Sequence, residues 1–136
     1  MIRLATKADI PAIVSMGERF HGASAWSERR YDKLGAEVTA SRLIIDKRSV
    51  IFITDKGMIG GSISQVPFLS IIMAQEAFWW AERGHGLALL RRFEGWAKDM
   101  SAEFVCMISL AGDERAEALY QRLGYAKTET MHFKAL

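Results

Sequence analysis

The chain has 136 residues, half of them hydrophobic and a quarter charged, with a formal net charge of +2. That length suits one domain, residues 1–136, whose core needs neither disulfides nor metal staples. So small a charge gives no argument for a nucleic-acid partner, and the single Cys106 excludes an intrachain disulfide and speaks against a zinc cluster.

Cys106 lies in the apolar run FVCMISL and reads as a buried strand cysteine rather than a reactive thiol. Arg3, Lys7 and Asp9 interrupt any secretory leader, and no apolar run approaches a membrane span. The expectation is a cytoplasmic protein with no membrane partner and no resident metal.

Met1 to Ala5 reads as a first strand. Thr6 then caps a helix with Asp9 in its first turn, and Ile10, Ile13, Val14 and Gly17 share one face as far as about Phe20. His21 to Arg30 has no clear period. A second helix covers Tyr31 to Ile45, with Tyr31, Leu34, Val38 and Ile45 on one side.

Ser49 to Thr54 is a β-branched strand, and Asp55-Lys56-Gly57 turns it into Met58 to Val66, a hairpin. Gly60 and Gly61 weaken the second strand and mark a candidate bulge. Pro67 ends it, and Ser70 to Trp80 is the next strand. Strict alternation there places Glu76, Phe78 and Trp80 on one face, and Gln75, Ala77 and Trp79 on the other.

A glycine-rich turn follows and opens into a helix with Leu89, Leu90, Phe93, Trp96, Ala97 and Met100 on one stripe. Glu103 to Leu110 is a strand. Asp113 caps a short helix carrying Ala116, Leu119, Tyr120 and Leu123 at helical spacing, closed by Gly124. Tyr125 to Ala135 supplies one or two last strands. The order β-α-α-β-β-β-α-β-α-β predicts a mixed sheet covered by helices.

Arg83-x-x-Gly86-x-Ala88 at the strand-to-helix turn resembles the acetyl-CoA signature Gln/Arg-x-x-Gly-x-Gly/Ala of the GCN5-related N-acetyltransferase (GNAT) superfamily. The segment from Asp113 through Ala116, Leu119 and Tyr120 to Gly124-Tyr125 is similar to that family's closing motif Asn-x-x-Ala-x-x-Leu-Tyr-x-x-x-Gly-Phe. Two departures stand out. Asp113 replaces the asparagine, and the link from Trp80 to Arg83 is short and lacks the proline that often follows the fourth strand.

The resemblance covers the full chain and implies an α/β (α+β) fold with a mixed, mostly antiparallel sheet of six to seven strands and about four helices. It also implies transfer of an acetyl group from acetyl-CoA to a primary amine of a small molecule, peptide or protein. Cofactor contacts would come from Phe78, Trp80, Arg83, Gly84, His85, Gly86, Leu87, Ala88, Asp113, Ala116 and Tyr120. The physical reason for the turn is that unpaired N–H groups at a helix start suit phosphate, and glycines let backbone approach it; the alternative is a tight turn and nothing more.

Tyr120 is the candidate general acid for the departing thiolate, or a core ring extending the Ala116–Leu119–Leu123 stripe. Glu76 is the candidate base for the amine, or an edge carboxylate in solvent or an ion pair. Family analogy places His21, Trp26 and Tyr125 to Thr130 near the acceptor. His85 and His132 read as exposed residues, and Trp79 and Trp80 as core, with one of the two able to rest against the pantetheine arm or a second subunit.

Two other readings stay open: a non-catalytic acyl-CoA-binding module and a protein-interaction domain, with a homodimer compatible with any of them. Arg91, Arg92, Lys98, Arg115 and Arg122 are interleaved with acids and look like solvated helix faces rather than an RNA surface.

Overall fold

A computed structural model describes residues 1–136. Strand β1 (Arg3–Leu4) leads through a short 3-10 turn into helix α1 (Ile10–Gly22), followed by helix α2 (Lys33–Ile45). Strands β2 (Ser49–Thr54), β3 (Gly57–Gln65) and β4 (Ile72–Ala81) come next, then helix α3 (Gly86–Asp99), strand β5 (Phe104–Cys106) and helix α4 (Glu114–Arg122). The sheet runs in the order β1-β2-β3-β4-β5. Every pairing is antiparallel except β4 with β5.

Local chemistry accounts for the helix starts. Asp9 accepts from the Thr6 N–H at 2.7 Å, Asp32 from the Gly35 N–H at 2.9 Å, and Asp113 from the Ala116 N–H at 3.0 Å. Each satisfies a donor that a helix start leaves free.

The sheet is buried on both sides. On one side Val50, Phe52, Ile59 and Ala74 pack against Leu89, Leu90, Phe93 and Ala97 of α3. On the other, Ile51, Ile53 and Met58 meet Ile13, Met16 and Ala40 of α1 and α2. The expected α3 stripe is thus the observed one.

Three expectations need correction. The sheet has five strands, not six or seven, because Tyr125 to Ala135 forms none. A strand is a property of a pair, and no backbone–backbone hydrogen bond reaches residues 126–136. Helix α2 starts at Lys33 and turns Leu34, Val38 and Ile45 outward. It docks instead through Ala40, with Leu43 and Ile44, and small Ala40 lets it lie close to the sheet. Tyr31, outside the helix, does turn inward and donates to the Val14 carbonyl at 2.8 Å.

The third correction concerns β4. Gly60 pairs with Phe78 but Gly61 with Glu76, so the bulge at the glycines puts its extra residue, Ala77, on β4. The alternation changes phase there. Glu76 shares a side with Gly61, whose added Cβ would meet the Phe93 ring, and therefore faces α3. Trp79 and Ala81 pack on that same side, whereas Phe78 and Trp80 join the α1–α2 side.

An added Cβ at Gly61 would run into both the Gln75 carbonyl oxygen and the Phe93 ring. Gly61→Ala is therefore expected to cost about 2 kcal/mol by overpacking, read as a lower midpoint in urea unfolding. An unchanged midpoint would show that the bulge can relax around a methyl group.

Candidate active site

Strands β4 and β5 pair over only a short register, Met73 to Gln75 against Phe104 to Cys106. Beyond it the backbones part, and side chains take over both polar groups of Ile108. The Ile108 N–H donates to Glu76 Oε2 at 2.8 Å. Tyr120 Oη donates to the Ile108 carbonyl at 2.9 Å. Two residues expected to act on the reaction therefore meet at Ile108, which lies beyond the end of the parallel ladder rather than inside the expected strand Glu103 to Leu110, because pairing stops at Cys106.

Glu76 is 7% exposed and makes no ion pair. Neither the solvent-facing nor the ion-paired alternative describes it. Its carboxyl titrates at about 7, raised by burial and held back from rising further by the Ile108 N–H. Its other oxygen, Oε1, has no protein partner yet is not sealed from solvent. A water there would give the carboxylate a route outward.

Burial, helped by the negative charge of Glu76, pushes the Tyr120 hydroxyl well above its ordinary value of 10.0, so it keeps its proton at neutral pH. Tyr125 is raised in the same direction, first by burial and then by Glu94. Its ring centroid lies 5.5 Å from that of Tyr120. Burial, with Glu76 nearby, also raises the Cys106 thiol, which opposes thiolate formation.

The turn Arg83 to Gly86 is reached through Trp79, which is half-buried rather than sealed in the core. Trp79 Nε1 donates to the Gly86 carbonyl at 3.2 Å, and its ring centroid lies 6.2 Å from that of Tyr120. The indole thus ties the turn to the strand opening. Finding it from sequence would have required knowing that the bulge reverses faces at Ala77. Phe78 and Trp80, expected on the cofactor side, lie with α1 and α2 instead.

Gly84 takes a left-handed conformation, φ +85°, with open space around it. His85 occupies the N-cap of α3 without a side-chain hydrogen bond to the helix, so no side chain competes for the amides that follow. Arg83, Gly84, His85, Leu87 and Ala88 are exposed, and an added Cβ at Gly86 would sit 3.2 Å from the Trp79 ring. This backbone can accept a phosphate. Asp113 is occupied as a helix cap and Ala116 supplies the amide it holds.

The residues assigned to the acceptor are only partly brought together. His21 packs against Tyr31 at 5.5 Å between ring centroids, and its Nε2 is buried without a partner. Trp26 meets Phe133 edge-on at 5.1 Å between ring centroids. Arg19 lies 4.4 Å above the Trp80 ring and 3.5 Å from Glu82, joining α1 to the end of β4. His132 is exposed.

No protein-family model matches the sequence, and no curated relative does. Solved structures do. A predicted acetyltransferase from Clostridium acetobutylicum, with acetyl-CoA, is 16% identical with a TM-score of 0.81, and the match covers 98% of this chain and 95% of that one. An aminoglycoside 6'-N-acetyltransferase from Acinetobacter haemolyticus is 17% identical, TM-score 0.74, covering 100% and 97% of the two chains. The chain has the GNAT fold.

A transcriptional regulator from Bacillus halodurans, 18% identical, has a TM-score of 0.75 to this chain, with 98% and 99% of the two chains covered. The resemblance drawn from the two motifs thus extends to the whole architecture. In this version of the GNAT fold the parting of β4 and β5 is held by Glu76 and Tyr120, and no helix is long and apolar enough to cross a membrane.

Proposed function

We propose that this chain is an N-acetyltransferase, moving an acetyl group from acetyl-CoA to a primary amine of a small molecule, peptide or protein. The observation that carries the reading is the convergence of Glu76 and Tyr120 on Ile108, where β4 and β5 separate. The uncapped start of α3 fits a pyrophosphate, with amides from Gly84 to Ala88 as its donors. When bound, acetyl-CoA supplies a thioester whose carbonyl carbon accepts the amine.

Glu76 is the base. A carboxyl that titrates at about 7 is half ionised near neutral pH and takes the amine's proton directly or through water at Oε1. Tyr120, protonated throughout that range, is the acid that gives its proton to the departing sulfur. To do so its hydroxyl must leave the Ile108 carbonyl that it holds here.

That engagement also favours a second reading, a non-catalytic acyl-CoA-binding module in which Tyr120 braces the strand. One experiment separates them. The protein is heated with and without CoA, then assayed for thiol release from acetyl-CoA with a panel of amines. A rise in Tm of several degrees at saturating CoA is expected, because a ligand of the folded state alone stabilises it. Amine-dependent thiol release identifies the transferase, binding without release identifies the module, and no shift in Tm overturns both.

A further inference from the structure

Helix α2 leaves an apolar row in solvent. Leu34, Val38 and Ile45 are 70%, 52% and 65% exposed, and the small, half-buried Ser41 continues the row between the last two. Steps of four, three and four residues are the spacing of a coiled-coil seam, with Leu34 and Ser41 at d positions and Val38 and Ile45 at a positions. β-Branched residues at a with leucine at d favour two parallel strands.

The flanking charges point the same way. On that lettering Glu37 is a g residue and Arg42 the following e residue. In a parallel pair a g side chain lies beside the e side chain five positions on in the other helix. Glu37 would therefore meet the partner's Arg42, and two-fold symmetry makes the contact twice. Neither residue has an ion pair within its own chain. Antiparallel helices would instead set g beside g and e beside e, leaving Glu37 and Arg42 on opposite flanks.

We propose that the outer face of α2 is a homodimer interface, in which a second copy of this chain packs its α2 in parallel about a two-fold axis running along the helices. Buried Ala40, with half-buried Leu43 and Ile44, already holds α2 to its own sheet, and Val38, Ser41 and Ile45 form the outer wall of an open cleft floored by Ser49, Ser62 and Ala77, whose mouth the second helix would cover. Glu76 faces the other side of the sheet, so the strand opening stays accessible in the dimer. The interface does not depend on the acetyltransferase reading.

Sedimentation velocity of the full chain over a wide concentration range tests it. The wild type should pass from monomer to dimer as concentration rises, and Val38→Glu should remain monomeric with an unchanged circular dichroism spectrum. Glu37→Arg or Arg42→Glu alone should weaken the dimer about tenfold, whereas the two together should restore it to within about threefold of wild type. In a Cys106→Ser background, Ser41→Cys should oxidise to a linked dimer, since d faces d in the parallel arrangement. A monomer at all concentrations, a dimer indifferent to Val38→Glu, a charge swap that fails to restore association, or no linkage through Ser41→Cys would each overturn the proposal.

Discussion

Glu76→Gln is expected to lower kcat/KM by about 100-fold or more, and to leave a protein more stable than the wild type above about pH 7. The activity loss follows from removing the proton acceptor while keeping the shape and a carbonyl oxygen for the Ile108 N–H. The stability gain follows from where Glu76 titrates. Its ordinary value is 4.5, and burial raises it to about 7 in the folded chain.

Below pH 4.5 the group is protonated folded or unfolded and the buried site holds no charge. Between the two values folding takes up a proton, so stability falls as pH rises. Above about 7 the charge stays buried and the loss is complete. At 1.36 kcal/mol per pH unit the interval corresponds to about 3 kcal/mol.

Glutamine carries no such proton. Urea unfolding should therefore show the variant and the wild type drawing apart by about 3 kcal/mol between pH 4.5 and 7. The wild type's kcat/KM should rise along an acid limb with a midpoint near pH 7, which the variant lacks. Parallel stability curves would mean that Glu76 does not titrate where its burial puts it. Undiminished activity would remove it from the chemistry. A site that lowers the stability of its own fold to keep a base near neutral pH is a familiar trade.

Much of the architecture was legible because it depends on local chemistry. Strand β2 has the predicted ends, Ser49 and Thr54, because a β-branched run meets a turn there. Helix α3 buries the stripe that its 3.6-residue period identifies, and α4 starts at the aspartate that caps it. What failed depends on partners distant in sequence. Gly60 and Gly61 signalled a bulge, but only the register with β4 shows that Ala77 is the extra residue. Counting by twos across it put Phe78 and Trp80 on the wrong side and hid Trp79.

The same limit applies to α2 and to the last residues. An apolar row from Leu34 to Ile45 reads as a core face, yet α2 has a second apolar side, and it is the one with small Ala40 that the sheet accepts. Thr128 and Thr130 suit a strand, but neither makes a backbone–backbone hydrogen bond. The two motifs point to the turn from Arg83 to Ala88 and to Tyr120 as site residues. The Ile108 peptide that Tyr120 shares with Glu76 could not be read from either motif.

Tyr120→Phe should reduce kcat about 100-fold while leaving the affinity for CoA within about threefold of wild type. The ring remains, so its packing against Trp79 and Tyr125 remains. Only the hydroxyl and its bond to the Ile108 carbonyl are lost, and Ile108 is exposed enough for water to replace that bond. Structure and chemistry can then be told apart. If Tyr120 only braces the strand, the loss should appear as weaker CoA binding and a lower Tm, with kcat little changed. If it is the acid, kcat falls, Tm stays, and an acceptor assay with a thioester of a more acidic thiol recovers most of the rate, because that leaving group needs no proton. The elevated titration of Tyr120 sharpens the test: the hydroxyl holds its proton throughout the range in which Glu76 ionises, so the wild type should show no basic limb from Tyr120 near neutral pH.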